Sequence, residues 1–568
     1  MAHTTSLDSL SIELLTHIFE FVVDSSPDTA KSIAAINHYS RSASKLVIHR
    51  YKEVYFSYDH GSANTSLQQW LDDSDILQGL RYLTVGGSLY QDDSNNDNVD
   101  VETLNDVEYK WSALTRLIER LGNLKALTWQ YPGHVPLSII RTLEKHQRSA
   151  ELKVFDWQRN KATADHNDED ELALANSPAL TAITANIWTR GSEVHPDLRE
   201  AAFRRVVACA PNLKSASISK GHSGCVIYGR TGSHREQLRE LEANFSSHQK
   251  VSNSLRTLSL DGCYLSEYTL RDWSRVANLS KLQRLECSRG SVDPSFFPCA
   301  PAMLLDLKHV KMNLLFQDRE RMKPAAEAWL VSCSPLQSLG LSSGFEMVPL
   351  ATILDRHGPT ITSLHLHKEE SVDRNQQKLR RELNLDDIRK IEQLCPNLRD
   401  LTMDLNRRSQ ELNTNDHIGI FQALAKVGLQ KLQIYYDVGI SAFNRFRREN
   451  LNVEHLSPSE HKHIEPHVKM IWETVFGNMQ TGERALDVKF GEWERNMGAG
   501  YPEDWLMIEQ EQKTYWQVRP AERDDRHGSC TVRRFGGFSD RPRSKVSTHP
   551  ESSGRKAFRL DVGHLSCR

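Results

Sequence analysis

Cys395-Pro396-Asn397-Leu398-Arg399-Asp400-Leu401-Thr402-Met403 carries the pattern on which most of the chain is built. Leu398, Leu401 and Met403 form an LxxLxL spacing with inward apolar residues. Asp400, Thr402 and Asp404 alternate with them at period two, as on a short β-strand with one wet face. The same spacing returns at Leu255/Leu258/Leu260, Leu282/Leu285/Cys287, Leu336/Leu339/Leu341, Ile361/Leu364/Leu366 and Leu429/Leu432/Ile434. Looser copies stand at Leu80/Leu83/Val85, Leu124/Leu127/Trp129, Leu152/Phe155/Trp157, Leu180/Ile183/Ala185, Leu213/Ala216/Ile218 and Leu307/Val310/Met312. Self-similarity over roughly twelve units is the signature of a solenoid, in which each unit buries its apolar face against its neighbours. The mean step of about 32 residues exceeds the usual leucine-rich period of 20 to 29, so several units must carry insertions. The expected fold class is α/β, an irregular leucine-rich-repeat arc. A (β/α)8 barrel is the rival, but its strands are buried on both faces and would be nearly continuous apolar runs, whereas these alternate.

At 568 residues the chain is too long for one ordinary core, and an array that grows by repetition resolves this. With 71 Lys and Arg against 74 Asp and Glu, the net charge of −3 points to neither nucleic acid nor a membrane surface. No apolar run of eighteen residues is present, and Met1-Ala2-His3-Thr4-Thr5-Ser6 lacks a signal-peptide character, so a cytoplasmic or nuclear protein is expected. The nine cysteines include no CxxC pair. Cys209, Cys333 and Cys395 recur just ahead of repeat strands, which argues for small buried apolar groups rather than disulfides.

Residues 7 to 23 predict a helix with an apolar stripe at Leu14, Leu15, Ile18, Phe19 and Val22, capped by Ser11 and stopped at Asp24-Ser25-Ser26-Pro27. Two short helical segments, around Ala30 to Asn37 and Arg41 to His49, precede an extended Val54-Tyr55-Phe56. So small a unit needs a partner or docked neighbour to cover its apolar surface. The run Leu10-Ser11-Ile12-Glu13-Leu14-Leu15-Thr16-His17-Ile18-Phe19-Glu20-Phe21-Val22 resembles the F-box motif, LPxELLxxIFxxL, and Val47 to Phe56 looks like the end of the F-box in fungal F-box proteins. The resemblance implies a three-helix F-box at 1–56. It further implies binding, through Leu10, Leu14, Leu15, Ile18 and Phe19, to the Skp adaptor and through it to a cullin, with a protein substrate on the repeats. The chain would then be the substrate-recognition subunit of a Skp-cullin-F-box ubiquitin ligase. Three alternatives stay open: a leucine-rich scaffold without any ligase, an enzyme with an unrecognised site, and, for the N-terminal unit, a cap that seals the array.

The outward strand positions are the candidate binding surface, and aromatic and charged groups concentrate toward the C-terminal end: His365, His367, Asp400, Thr402, Asp404, Lys431, Gln433 and Tyr435. His365/His367 and Glu460-His461-Lys462-His463-Ile464-Glu465-Pro466-His467 lack a recognised metal-ligand spacing. Pro466 is expected to start a helix with a stripe at Val468, Ile471, Trp472, Val475 and Phe476, and the histidines to form its approach loop. Gln91 to Asp100 lacks the glycine and closing glutamate of a calcium loop, and Asp165 to Glu171 is expected to be a solvated acidic insertion. Residues 221–224 and 229–233 contain no phosphate loop, and no hydrolase, zinc-protease, kinase or dinucleotide motif occurs; no cofactor is implied and a non-catalytic adaptor is expected. The array is expected to span 57–490, with a degenerate last strand at Ala485 to Phe490. An aromatic-rich cap at 491–518 and a disordered basic tail at 519–568 would follow.

Overall fold

The structure, a computed structural model, describes residues 10–25, most of 32–56, 61–87, 104–158, 169–190, 199–223, 251–314 except 289, 319–342, 347–368, 381–406, 417–436, 461–477, 484–490, 514–520 and 530–535. Among the described residues, sixteen strands lie side by side in chain order in one open sheet. They are β1 (Tyr51–Phe56), β2 (Tyr82–Gly87), β3 (Ala126–Trp129), β4 (Glu151–Trp157), β5 (Leu180–Arg190), β6 (Ser215–Ser223), β7 (Thr257–Asp261) and β8 (Arg284–Cys287). The series continues through β9 (His309–Asn313), β10 (Ser338–Ser342), β11 (Ser363–His367), β12 (Asp400–Leu405), β13 (Lys431–Tyr436), β14 (Ala485–Phe490), β15 (Thr514–Pro520) and β16 (Cys530–Phe535). Successive pairs from β1 to β14 are parallel, and the last two pairings are antiparallel. The fold is thus mixed α/β and not closed.

Each apolar residue of the LxxLxL copies, Phe155 excepted, is at most 3% exposed, because strand alternation turns it toward a layer of helices. In the copy on β4 Val154, not Phe155, is buried beside Leu152. Strict alternation from Leu152 makes Val154 the inward residue. A register slip with Asp156 at φ 60° then returns Trp157 to the core.

The residue just ahead of a strand closes the rim of the sheet. The carbonyls of Arg50, Arg81, Lys214, Arg256, Gln283, Lys308, Gln337, Thr362 and Arg399 each accept two N–H groups from the next copy, as when Arg399 and Asp400 both donate to Thr362 O. This pairs backbone groups that would otherwise be orphaned at the strand entrance. The CPNL signature has a second task. Asn397 Nδ2 donates to Pro359 O and Asn212 Nδ2 to Pro178 O, both at 2.8 Å, clasping each copy to the one before. Gln147 and His357 act similarly from helix ends: Gln147 Oε1 accepts from Leu124 N and His357 Nδ1 from Leu336 N. Cys333 and Cys395 are buried free thiols, and Cys209 is a half-buried one.

A separate small core lies at the N-terminus, where α1 (Ile12–Ser25) packs on α2 (His38–Ser44) through Leu15, Phe19, Val23, Ile33, Ala43 and Val47. Ser11 Oγ accepts from Leu14 N at 3.3 Å, the expected cap. Arg50 bridges this unit to the sheet, pairing with Glu20 of α1 at 3.0 Å and lying over the Tyr82 ring, which itself stacks on Tyr51.

Three expectations are corrected. Residues 169–171 of the acidic stretch open the helix Glu169–Asn176; Asp170 accepts from Leu137 N at 2.9 Å and pairs with His134 at 3.1 Å. Pro466 sits inside the helix His461–Phe476 instead of starting it, so the histidines occupy helical turns; its expected stripe is buried. The tail expected from Arg519 contains the end of β15 and all of β16, since pairing with β14 satisfies their backbones. Residues 91–100 and 229–233, and Trp493, Tyr501 and Trp505, lie outside the described residues.

Candidate functional site

Two surfaces gather the residues singled out from the sequence. On α1 the apolar positions divide by helical phase. Leu15 and Phe19 are 0% and 4% exposed and belong to the unit's own core, with Leu10 and Ile18 half-buried against it. They are therefore not open contact residues; on α1, 100° per residue puts Leu15, Ile18 and Phe19 on the side facing α2. Leu14 and Phe21, seven positions apart and hence on one face, are 48% and 75% exposed, and Ile36 nearby in sequence is 59% exposed. Phe21 and Ile36 were not singled out beforehand. Both are apolar, and only knowledge of which phase the core consumes distinguishes them.

The second surface is the sheet face opposite the helices. Its outward residues align in rows across the strands. One row runs Arg284, His309, Ser338, Ser363, Asp400, Lys431. The next runs Glu286, Lys311, Gly340, His365, Thr402, Gln433. Of the predicted contact residues, Lys431 is exposed and His365, Asp400, Thr402 and Gln433 are half-buried. Burial raises the Asp400 carboxyl above its ordinary range, against the pull of Lys431 and Arg399. Burial, then Arg284 and Lys308, lowers the His309 imidazole. Lys431 reaches Asp487 at 3.8 Å, and Asp487 also receives Arg519 NH2 at 3.0 Å.

The third row departs from expectation. His367, Asp404 and Tyr435 are 1%, 2% and 0% exposed, so none presents a side chain to a partner. His367 Nδ1 lies 2.7 Å from Asp404 Oδ1, and Lys368 N donates to Asp404 Oδ2 at 2.6 Å. The imidazole stacks on Tyr435 at 3.8 Å, bridging the strand that carries Asp404. Gln433 Nε2 and Lys489 Nζ both contact Tyr435 Oη, at 2.6 and 3.0 Å. These side chains bond and stack on one another, so the outward direction here does not mean exposure. Ser342 aligns with His367 in the same row, giving hydroxyl, imidazole and carboxylate on three consecutive strands. With Ser342 only 5% exposed, the row is a packed polar seam.

Burial pushes the thiols of Cys263 and Cys395 up to about 11 and that of Cys333 to about 12, the reverse of an activated nucleophile. Among the described residues no group of three or more His, Cys, Asp or Glu is placed to hold a metal ion. None of their helices is long and apolar enough to cross a membrane. No family model matches the chain, and no curated protein is significantly similar to it.

Proposed function

We propose that this chain is the substrate-recognition subunit of a Skp-cullin-F-box ubiquitin ligase, an F-box and leucine-rich-repeat solenoid protein that docks the Skp adaptor by its N-terminal helices and a protein substrate by the open sheet face. The observation that carries the reading is the second apolar face of α1. A helix whose Leu15 and Phe19 already complete a small core still exposes Leu14 and Phe21, an arrangement that favours a protein partner. The bracing of that unit by Arg50–Glu20 at 3.0 Å and Lys45–Asp75 at 3.0 Å supports it, since a ligase must hold substrate at a set distance from its adaptor. On the sheet, His365, Asp400, Thr402, Lys431 and Gln433 are the proposed substrate contacts.

The test is co-purification with the Skp adaptor. Leu14→Asp with Phe21→Asp should weaken adaptor binding by more than about 2 kcal/mol while changing melting little, because exposed positions cost within about 0.5 kcal/mol. Full adaptor recovery by this folded double variant refutes the docking surface. If the wild-type chain recovers no adaptor at all, the ligase reading falls and the leucine-rich scaffold takes its place.

A further inference from the structure

Two groups on the first strand stay at the surface, at the N-terminal end of the open face. On β1, Tyr51, Glu53 and Tyr55 point to that face, because Val54 and Phe56 alternate with them and are buried on the helix side. Their partners on β2 are Tyr82, Thr84 and Gly86. Gly86 brings no side chain, so the Tyr55 ring settles on its backbone: a Cβ built there would lie 3.3 Å from Tyr55 Cδ2 and 3.8 Å from Tyr55 Cε2. The same point is 3.7 Å from Glu53 Oε1, which makes the carboxylate and the ring neighbours. Glu53 is exposed, and Tyr55 is 48% exposed.

The charge of Glu53 is not answered within the fold. Among the described residues Glu53 has no ion-pair partner. The row that starts at Glu53 runs through Thr84 and Thr128 to Lys153, and Lys153 Nζ is 3.5 Å from Glu151. Lys52 alternates to the helix side, 5.8 Å from the centre of the Trp70 ring. Arg50 pairs with Glu20 at 3.0 Å and lies 5.8 Å from the centre of the Tyr82 ring. That last arrangement shows what such a pair of groups suits, since the chain's own guanidinium is held by one carboxylate and one tyrosine ring. Glu53 and Tyr55 present the same two groups to the outside. Their strand is fixed in place, because Tyr51 stacks on Tyr82 at 4.6 Å and Arg50 ties β1 to α1, so a ligand meets groups that are already ordered.

We propose that Glu53 and Tyr55 form a seat for an arginine side chain of a partner protein. One edge of the guanidinium donates to the Glu53 carboxylate, and its face lies against the Tyr55 ring. A guanidinium does both at once because it is planar, with its N–H groups in the plane and its face free; an ammonium has no such face. The seat lies apart from the proposed substrate contacts on β11 to β13. It needs neither the adaptor nor the exposed face of α1, so a scaffold without a ligase would carry it equally.

The experiment is a saturation-transfer NMR titration of the purified full chain with acetylated Gly/Ser hexapeptides that carry one central arginine, citrulline or lysine. Citrulline keeps the shape and removes the charge; lysine keeps the charge and removes the planar group. The arginine peptide should bind at least about fivefold more tightly than either comparison peptide. Glu53→Gln and Tyr55→Ala should each weaken its binding about fivefold or more. Both positions are exposed, so melting should stay unchanged. An arginine peptide that fails to bind at about 10 mM overturns the proposal. Equal binding of the citrulline peptide overturns the role of charge, and equal binding of the lysine peptide overturns the assignment to a guanidinium. Unchanged arginine affinity in either Glu53→Gln or Tyr55→Ala overturns the location.

Discussion

Asp404→Asn tests whether the buried polar seam holds the C-terminal part of the sheet together. The carboxylate is 2% exposed and accepts from His367 Nδ1 at 2.7 Å and Lys368 N at 2.6 Å. Asparagine has the same shape but only one acceptor oxygen and no charge. A hydrogen bond to a charged group contributes about 1.5 to 3 kcal/mol and a neutral one about 0.5 to 1.5, so the two contacts together lose about 2 kcal/mol. The amide NH2 now faces a donor, which raises the expected cost to about 2 to 3 kcal/mol. Since each strand pairs only with its neighbours, the loss should be local to β11, β12 and β13. Native-state hydrogen exchange should then show the amides of Leu401, Met403, Leu432 and Ile434 exchanging about 30- to 150-fold faster, with β5 to β7 as the unchanged internal control. Exchange within about twofold of wild type refutes the reasoning. His367, Asp404 and Tyr435 would then return as candidates for partner contact.

His357, fully buried, is pushed down to about 4 by burial while its Nδ1 accepts from Leu336 N. Its folded pKa lies below the ordinary 6.5, so the folded state holds fewer protons. Its stabilisation is complete above about pH 6.5 and is lost as pH falls from there toward about 4, by up to about 3 kcal/mol. Because Gln147 makes the equivalent contact in another copy, His357→Gln should retain the hydrogen bond and flatten this pH dependence in urea titrations; an unchanged slope argues against it. At Gly290 an added Cβ would collide with Cys263 O, so Gly290→Ala must push two copies apart. A cost of about 1 to 3 kcal/mol is expected in thermal melting, and a neutral result would contradict that close approach.

Strand number, order and inward residues were largely legible in the chain because LxxLxL is a local code. Period-two alternation needs no knowledge of what lies far away, and Leu398, Leu401 and Met403 are buried as that code requires. Val154 replaces Phe155 because a one-residue slip is invisible where both candidates are apolar. Likewise the first turn of the His461–Phe476 helix and β16 formed where composition suggested loop and tail, since packing and pairing outweigh local propensity.

By itself the sequence determined which side of most strands a residue occupies and that α1 carries a wide apolar stripe. Only the tertiary structure decided which of those residues are accessible. Leu15 and Phe19 are consumed by a core completed from Ile33, Ala43 and Val47, leaving Leu14 and Phe21 at the surface. Tyr435 and Asp404 point outward yet are closed off, because His367 from another strand stacks and bonds across them. Direction follows from bonds along one strand, which sequence spacing reports. Exposure depends on what distant segments bring alongside, and residues 367, 404 and 435 meet only when the strands that carry them are laid together.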